Sequence, residues 1–226
     1  MFDDNQDRRL FESVSILEKV GVTVLQFFMF GDTERAHVDA LLTAADIPPG
    51  ALVLDAGCGT GAVAWYMGEI CDDLNFILLN NSRRQLERCP MSRRFQRQFA
   101  SMEKTGLPDQ YVDFAMVNYA IGHAADIQTV LEELYRVLKP GGGLLICDMA
   151  GRSDKVKRVF SYNTLDAAEM AMLATLAGFK QKYSGQPAPP QDWQMDKILS
   201  LESPEVATAA REALSEVRPH VWRFVK

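Results

Sequence analysis

A doubly wound α/β fold, a parallel sheet with helices on both faces, is what this sequence predicts, and three observations predict it. From residue 51 onward, short apolar runs alternate with segments of helical periodicity. A glycine-rich turn, Gly57-Cys58-Gly59-Thr60-Gly61, directly follows the first apolar run. The 226 residues, 47% hydrophobic and 24% charged, suit one α/β unit with a full core and are short for two.

Taken in order, apolar residues recur at helical spacing from Leu10 to Ala45, with a break at Phe30-Gly31-Asp32-Thr33. There glycine ends one helix and Asp32 or Thr33 caps the next, so residues 1–45 are expected to form an N-terminal helical cap. Ala51–Ala56, after Pro48-Pro49-Gly50, has the short apolar character of a buried parallel strand. The alternation continues with a helix at Ala62–Ile70, a strand at Leu74–Asn80, a helix at Arg83–Cys89 and a strand at Phe95–Ala100. Next come a strand at Val112–Asn118, a helix at Ile127–Leu138 and a strand at Gly143–Asp148. A helix at Leu165–Ala177 stopped by Gly178, a strand at Phe179–Tyr183, a Pro-rich stretch from Gln186 to Pro190, a helix at Pro204–Val217 and a closing strand at Val221–Val225 complete seven strands. The expected organisation is a single domain over 1–226, with the cap at 1–45, a ligand-binding half at 51–150 and a C-terminal half at 151–226.

The net charge of −6 works against a general polyanion-binding surface, because nucleic-acid affinity comes largely from neutralised phosphates. Six arginines against one glutamate, Glu87, between residues 81 and 98 are the exception, read first as a solvated face and second as a site for phosphate, RNA or an acidic partner. Cys58, Cys71, Cys89 and Cys147 lack paired metal-site spacing, and His37 and His220 lack neighbouring ligands, so no metal is expected. The acidic start is not a secretory leader and no apolar run approaches membrane-spanning length, which leads to a cytoplasmic expectation without membrane association.

The chemistry centres on Leu54-Asp55-Ala56-Gly57-Cys58-Gly59-Thr60-Gly61, placed between the first strand and its helix, where glycines let backbone approach a ligand and helix N–H groups face it. Its G-x-G-x-G spacing differs from the G-x-G-x-x-G of dinucleotide sites. Asp55 to Gly61 resembles the S-adenosylmethionine motif of class I methyltransferases. Pro108–Phe114 is similar to that family's entry into strand four, and Leu131–Gly142 to its fourth helix and following turn; together the matches span about Ala51 to Asp148.

The resemblance implies a Rossmann-like, seven-stranded methyltransferase sheet, S-adenosylmethionine as cofactor and S-adenosylhomocysteine as product. It implies that Asp55 positions the donor's methionine end, that Gly57, Gly59 and Gly61 make room for it, and that Ala56, Cys58 and Asn118 lie along it. Two positions depart from the family pattern. Asn80, followed by Asn81, stands where an Asp or Glu commonly holds the ribose hydroxyls, at a cost of ~1 kcal/mol for the lost charge assistance. Ser101 stands where an Asp commonly caps the adenine amino group, with Met102 placed to pack on the ring.

Methyl transfer is an in-line displacement that chiefly needs alignment and at most one proton removed. Asn118-Tyr119-Ala120-Ile121-Gly122-His123 follows the strand whose carboxyl end should face the ligand crevice. His123 is therefore read as the candidate base, with loop packing as the equal alternative, and Tyr119 as acceptor wall or core. Asp148 is expected to cap a turn more than to orient an acceptor. The cluster Phe27, Phe28, Met29 and Phe30 is expected to be core, and the helical Trp65 to be core or helix packing.

The leading functional expectation is methyl transfer to a small-molecule acceptor, at carbon, oxygen or nitrogen; the sequence leaves the oligomeric state open, with a homodimer among the options. An RNA or protein methyltransferase and a non-catalytic relative with a weakened donor site are the alternatives.

Overall fold

The computed structural model describes residues 19, 21, 23, 24 and 26–226. The first elements are a two-residue strand β1 (Met29–Phe30) and helix α1 (Glu34–Ala45). The central region runs β2 (Leu52–Ala56), α2 (Ala62–Ile70), β3 (Asn75–Asn80), α3 (Arg83–Leu86), β4 (Phe95–Phe99), β5 (Val112–Asn118), a 3-10 turn (Ile121–His123), α4 (Ile127–Val137) and β6 (Leu138–Ala150). It continues with α5 (Asp154–Phe160), α6 (Ala167–Leu176), β7 (Lys180–Gly185), β8 (Pro190–Gln191), α7 (Met195–Leu199), α8 (Pro204–Leu214) and β9 (Arg218–Val225).

Seven strands form the main sheet in the order β4-β3-β2-β5-β6-β9-β7. β4 through β6 are parallel, while β9 pairs antiparallel with both β6 and β7. From β2 the chain first winds outward through β3 and β4, then returns to the other side of β2 with β5. That reversal opens a crevice at the carboxyl ends of β2 and β5, the place where open α/β sheets bind ligands.

Period-2 alternation explains why the sheet is covered on both faces. Leu54, Ile77, Leu79, Ala115, Val117, Leu144, Ile146, Trp222 and Phe224 point to one core with Leu131 and Leu134 of α4 and Met170 and Ala174 of α6. Val53, Phe76, Leu78, Phe114, Met116, Leu145, Cys147 and Val221 point to the other with Val38 and Leu41 of α1 and Val63, Ala64 and Met67 of α2. A one-residue register slip would exchange every one of these side chains between faces, so the two cores fix the register.

A third apolar cluster sits beyond the sheet, where Phe28, Met149, Val156, Tyr162, Met195, Leu199 and Leu214 pack together. It ties the segment before α1 to α5, α7 and α8. The helices begin on polar caps: Thr33 for α1, Asp126 for α4, Ser153 for α5, Ser203 for α8, and a reciprocal Asp166–Glu169 box for α6.

The helical cap expected over 1–45 is corrected in part. Residues 34–45 are helical, but Met29–Phe30 is extended and pairs antiparallel with Pro190–Gln191; most of the helix expected before it lies outside the described residues. Phe27–Phe30 is thus a strap over the sheet end rather than a helix terminus. Helices α5 and α7 were not expected, because at seven and five residues they are too short to show a period. Of the two readings of Trp65, core or helix packing, the structure rules out the core: it is 46% exposed and lies over Phe95, 5.8 Å between ring centres.

Candidate active site

The loop after β2 is shaped by backbone bonds to its neighbour strand: Gly57 N–H and Cys58 N–H both donate to Leu79 O, at 2.9 and 3.0 Å. Gly57 has φ +80°, and a Cβ there would fall 2.5 Å from Ala120 Cβ. Gly59, at φ +56°, meets nothing within 4 Å on its Cβ side, so the loop's second glycine opens onto free space. Gly61 begins α2 without a side-chain cap, leaving that helix's first turn to a ligand or solvent.

Above this loop lies a cavity of about 860 Å³. Its floor is Gly57, Cys58, Gly59 and Thr60; one wall is Asn80, Asn81, Ser101, Met102 and Glu103, and the other is Asn118, Tyr119, Ala120 and His123. Thr23, Val24 and Gln26 of the strap and Asn163 of the α5–α6 loop also line it. Ten of the thirteen expected site residues are therefore brought together on one surface. Asp55, Ala56 and Gly61 stand behind that surface, with Gly61 packed against Pro90, Leu78 and Cys89.

Asp55 is 2% exposed and its Oδ2 has no hydrogen-bond partner. Burial pushes its pKa up to about 7, so near neutrality it is poised to ionise when a positive group arrives. Asn118 Oδ1 is likewise buried and without a partner. Cys58 and Cys89 approach to 3.8 Å between sulfurs, and burial beside Asp55 keeps Cys58 a thiol.

Asn80 is more occupied than its position suggested. Its Nδ2 donates to Gly59 O at 3.0 Å and to Gln85 Oε1 at 2.9 Å, while its Oδ1 accepts from Ser82 N–H at 2.9 Å. The amide thus ties the glycine loop to the end of β3, a bond that a carboxylate has no hydrogen to make. Ser101 Oγ bonds Glu103 Oε2 and accepts from Glu103 N–H, and Glu103 Oε1 accepts from Ala125 N–H at 3.0 Å. A carboxylate is therefore present on this wall after all, two residues beyond the expected position. Sequence reasoning missed Glu103 by looking only at position 101.

On the opposite wall Tyr119 has φ +48°, rare for an aromatic residue, and its N–H donates to Cys147 O at 2.8 Å. Its hydroxyl is buried with no partner, and burial drives its pKa well above the ordinary tyrosine value, which keeps it a neutral donor. Tyr119 serves as cavity wall and as packing for both adjacent apolar clusters. His123 is exposed along the cavity, yet the surrounding protein lowers its pKa below the ordinary histidine value, so its ring is neutral at pH 7.

Asp148 lies below the wall, fully enclosed, with its pKa raised by burial to about 6. It accepts from Ile121 N–H, from Met149 N–H and from the Tyr162 hydroxyl. It thus holds the turn after β5 rather than the one after its own strand. His37 is buried against Phe30, accepting Phe30 N–H at Nδ1, and His220 lies against Ser184 and Trp222. Among the described residues no group of three or more His, Cys, Asp or Glu is placed to hold a metal.

The strap reaches the cavity because Glu34, in the first turn of α1, accepts from Thr23 N–H, Thr23 Oγ1, Val24 N–H and the Tyr66 hydroxyl. Gln26 N–H donates to Gln194 Oε1, while Gln26 Oε1 stays buried and without a partner. Of the six arginines, Arg83, Arg84, Arg88 and Arg93 are exposed, as a solvated face requires, while Arg94 bonds Gly68 O, Cys71 O and Asp72 O at the end of α2, Arg97 bonds Cys89 O, and Arg83 lies 3.9 Å from the Phe99 ring centre.

A seven-stranded sheet in this order, with a glycine loop and cavity at its reversal point, is the architecture of class I methyltransferases. Residues 54–146 match the family described as a methyltransferase domain. It is 28% identical over 135 residues to the ubiquinone/menaquinone biosynthesis C-methyltransferase of Vibrio vulnificus, covering 56% of this chain and 52% of the relative. The chain thus spans about half the length of the curated relatives it matches. In fold it is similar to the cyclase SpnF, with TM-score 0.82 and 14% identity over 97% of this chain and 95% of that one. It is also similar to geranyl diphosphate C-methyltransferase from Streptomyces coelicolor A3(2), solved with Mg2+, geranyl diphosphate and S-adenosyl-L-homocysteine. There the TM-score is 0.76 and the identity 13% over 98% of this chain and 96% of the other. No described helix is long and apolar enough to cross a membrane.

Proposed function

We propose that this chain transfers a methyl group from S-adenosylmethionine to a small-molecule acceptor. The observation that carries the reading is the buried Asp55 with an unpartnered Oδ2 beneath a glycine loop that opens onto the cavity. A buried acceptor without a partner is costly in an isolated protein and is satisfied by a cationic ligand.

Bound there, the donor supplies an electrophilic methyl group on a sulfonium. Asp55 and Asn118 would hold its methionine end, Gly57, Cys58 and Gly59 would admit its body, and Ala56 and Gly61 would shape the loop from behind. Asn80 has one acceptor lone pair left for a ribose hydroxyl, with Asn81 beside it. Ser101 and Glu103 together would meet the adenine amino group, with Met102 against the ring.

On the acceptor side Tyr119 would donate a hydrogen bond and the neutral His123 would take the acceptor's proton. Thr23, Val24 and Gln26 would line the cavity beside them. The 226 residues act as one unit in this reading, with 51–150 binding the donor and both 1–45 and 151–226 shaping the acceptor site. A quinone, sterol or isoprenoid-like acceptor methylated at carbon fits the names of the relatives, and a cytoplasmic chain without nucleic-acid partners fits the acidic charge.

Titration calorimetry with S-adenosylmethionine and S-adenosylhomocysteine tests the donor site. Micromolar binding that disappears in Asp55→Ala is the expected result. No heat from a folded wild-type chain would overturn the reading and promote the non-catalytic alternative, which the internal bonds of Asn80 favour.

A further inference from the structure

Six residues from three separate segments meet at the 3-10 turn that carries His123. The turn's first N–H, from Ile121, donates to Asp148 Oδ2 at 3.3 Å. Asp148 also receives the Tyr162 hydroxyl, at 2.7 Å from Oδ1 and 2.6 Å from Oδ2. Asn163 completes the set: its N–H donates to Gly122 O at 2.8 Å, and its Nδ2 lies 3.2 Å from Gly122 O and 3.4 Å from Ala124 O.

The space between these groups is closed. A Cβ on Gly122 would fall 2.1 Å from Tyr162 Cε1 and 2.3 Å from Asn163 O, so the turn lies directly on the Tyr162–Asn163 backbone and ring. The His123 imidazole meets the edge or face of the Tyr162 ring at 87°, with 4.6 Å between centres. That T-shaped geometry is the favourable one for an aromatic pair and fixes the imidazole's orientation. Tyr162 is itself immobilised, 4% exposed within the cluster of Phe28, Val156 and Leu214.

We infer that Asp148, Tyr162 and Asn163 form a positioning clamp: Asp148 anchors the Tyr162 ring, and that ring and Asn163 hold the His123 turn in the orientation that faces the acceptor end of the cavity. None of the three carries out chemistry in this scheme. The clamp draws on strand β6 and on the loop after α5, both remote from the turn in sequence, and so couples the acceptor-side base to the C-terminal half. It rests on the reading of His123 as the acceptor-side base, but its geometry is testable without any acceptor.

The experiment is two-dimensional NMR on protein carrying 13C-labelled histidine. The chain has three histidines, so the His123 signal is assigned by its disappearance in His123→Gln. In the wild type the Tyr162 ring current displaces the His123 ring resonance from the free-imidazole position. Tyr162→Leu removes the ring and is expected to return the signal toward that position with a sharper line. Tyr162→Phe and Asp148→Asn keep a ring in place but cut the tether, and are expected to broaden the signal as the imidazole samples more than one orientation.

Titration with S-adenosylhomocysteine accompanies each variant, and its dissociation constant should stay within about threefold of wild type, because the clamp does not touch the donor wall. A His123 signal unchanged in Tyr162→Leu would overturn the clamp; if that variant does not fold, unchanged signals in both tether variants would do so. Failure of the wild type to bind the donor would count against the proposed function alone and leave the NMR result standing.

Discussion

The two ends of the cavity are built by different means. The proposed donor end is made by backbone: Gly57 and Cys58 bond to Leu79 O, a glycine fills a gap of less than a methyl group beside Ala120, and parallel strands β2 and β3 fix both sides. The proposed acceptor end is made by four side chains from three distant segments, Gln26, Tyr119 with His123, and Asn163, held by a left-handed tyrosine and a buried carboxylate. A backbone site accepts one ligand and tolerates little change. A side-chain site on the same fold can be rewritten residue by residue, which is how one architecture serves several chemistries.

The sharpest way to break this contrast is at His123. If it is the acceptor-side base, His123→Ala should lower the rate by about 10²- to 10⁴-fold and leave donor affinity unaltered. Wild-type turnover, measured with any acceptor found by screening, would remove His123 from the chemistry and leave it as loop packing. The mirror experiment is Gly57→Ala. Its Cβ must enter space held by Ala120 at a backbone angle of +80°, and the combined strain of ~2–4 kcal/mol should weaken donor binding by roughly a hundredfold. Calorimetry on the folded variant checks it, and near wild-type affinity would mean that the loop is not the rigid half.

A smaller effect, of about tenfold, should come from pH. With the pKa of Asp55 raised to about 7, its ionised fraction falls about tenfold from pH 8 to pH 6, and affinity for the cationic donor should fall with it. Asp55→Asn should bind weakly and show no such dependence. The sign for stability is the reverse. The folded chain keeps a proton on Asp55 that an unfolded chain releases near 3.8, so the ligand-free protein should lose stability as pH rises from there to about 7. A thermal melt that rises across that window would show that Asp55 is not the controlling group.

The same contrast explains what could be read before the structure. All seven main-sheet strands and the glycine loop were legible, because alternating apolar runs and a G-x-G-x-G turn are local signals. The strap and the clamp were not. Gln26 sits inside a run whose helical spacing masks the extended strap and Asn163 in a segment without periodicity, and they reach the cavity only through contacts such as Glu34 with Thr23 or Asn163 with Gly122. Glu103 stands two residues beyond the position the family pattern marks, and only the Ser101–Glu103 bond shows that its carboxylate belongs to the same wall.

Asn80 marks the boundary between the two kinds of construction and gives the smallest predicted effect. A carboxylate there would offer a donor's ribose a charge-assisted bond, about twice as strong as a neutral one. It would also remove the hydrogen now given to Gly59 O and face that carbonyl, 3.0 Å from the present amide, with a second acceptor. Gln85 can turn its amide to compensate for its own lost bond, but Gly59 O would keep only the weak thiol donors of Cys89 and Cys58, at 3.4 and 3.6 Å, and the lost amide bond costs ~1 kcal/mol. The two effects oppose each other, so Asn80→Asp should lower the melting temperature while donor affinity stays level or weakens by no more than about fivefold. A tenfold gain in affinity would show that Asn80 acts as a free ribose ligand, and that the loop owes its shape to the backbone alone.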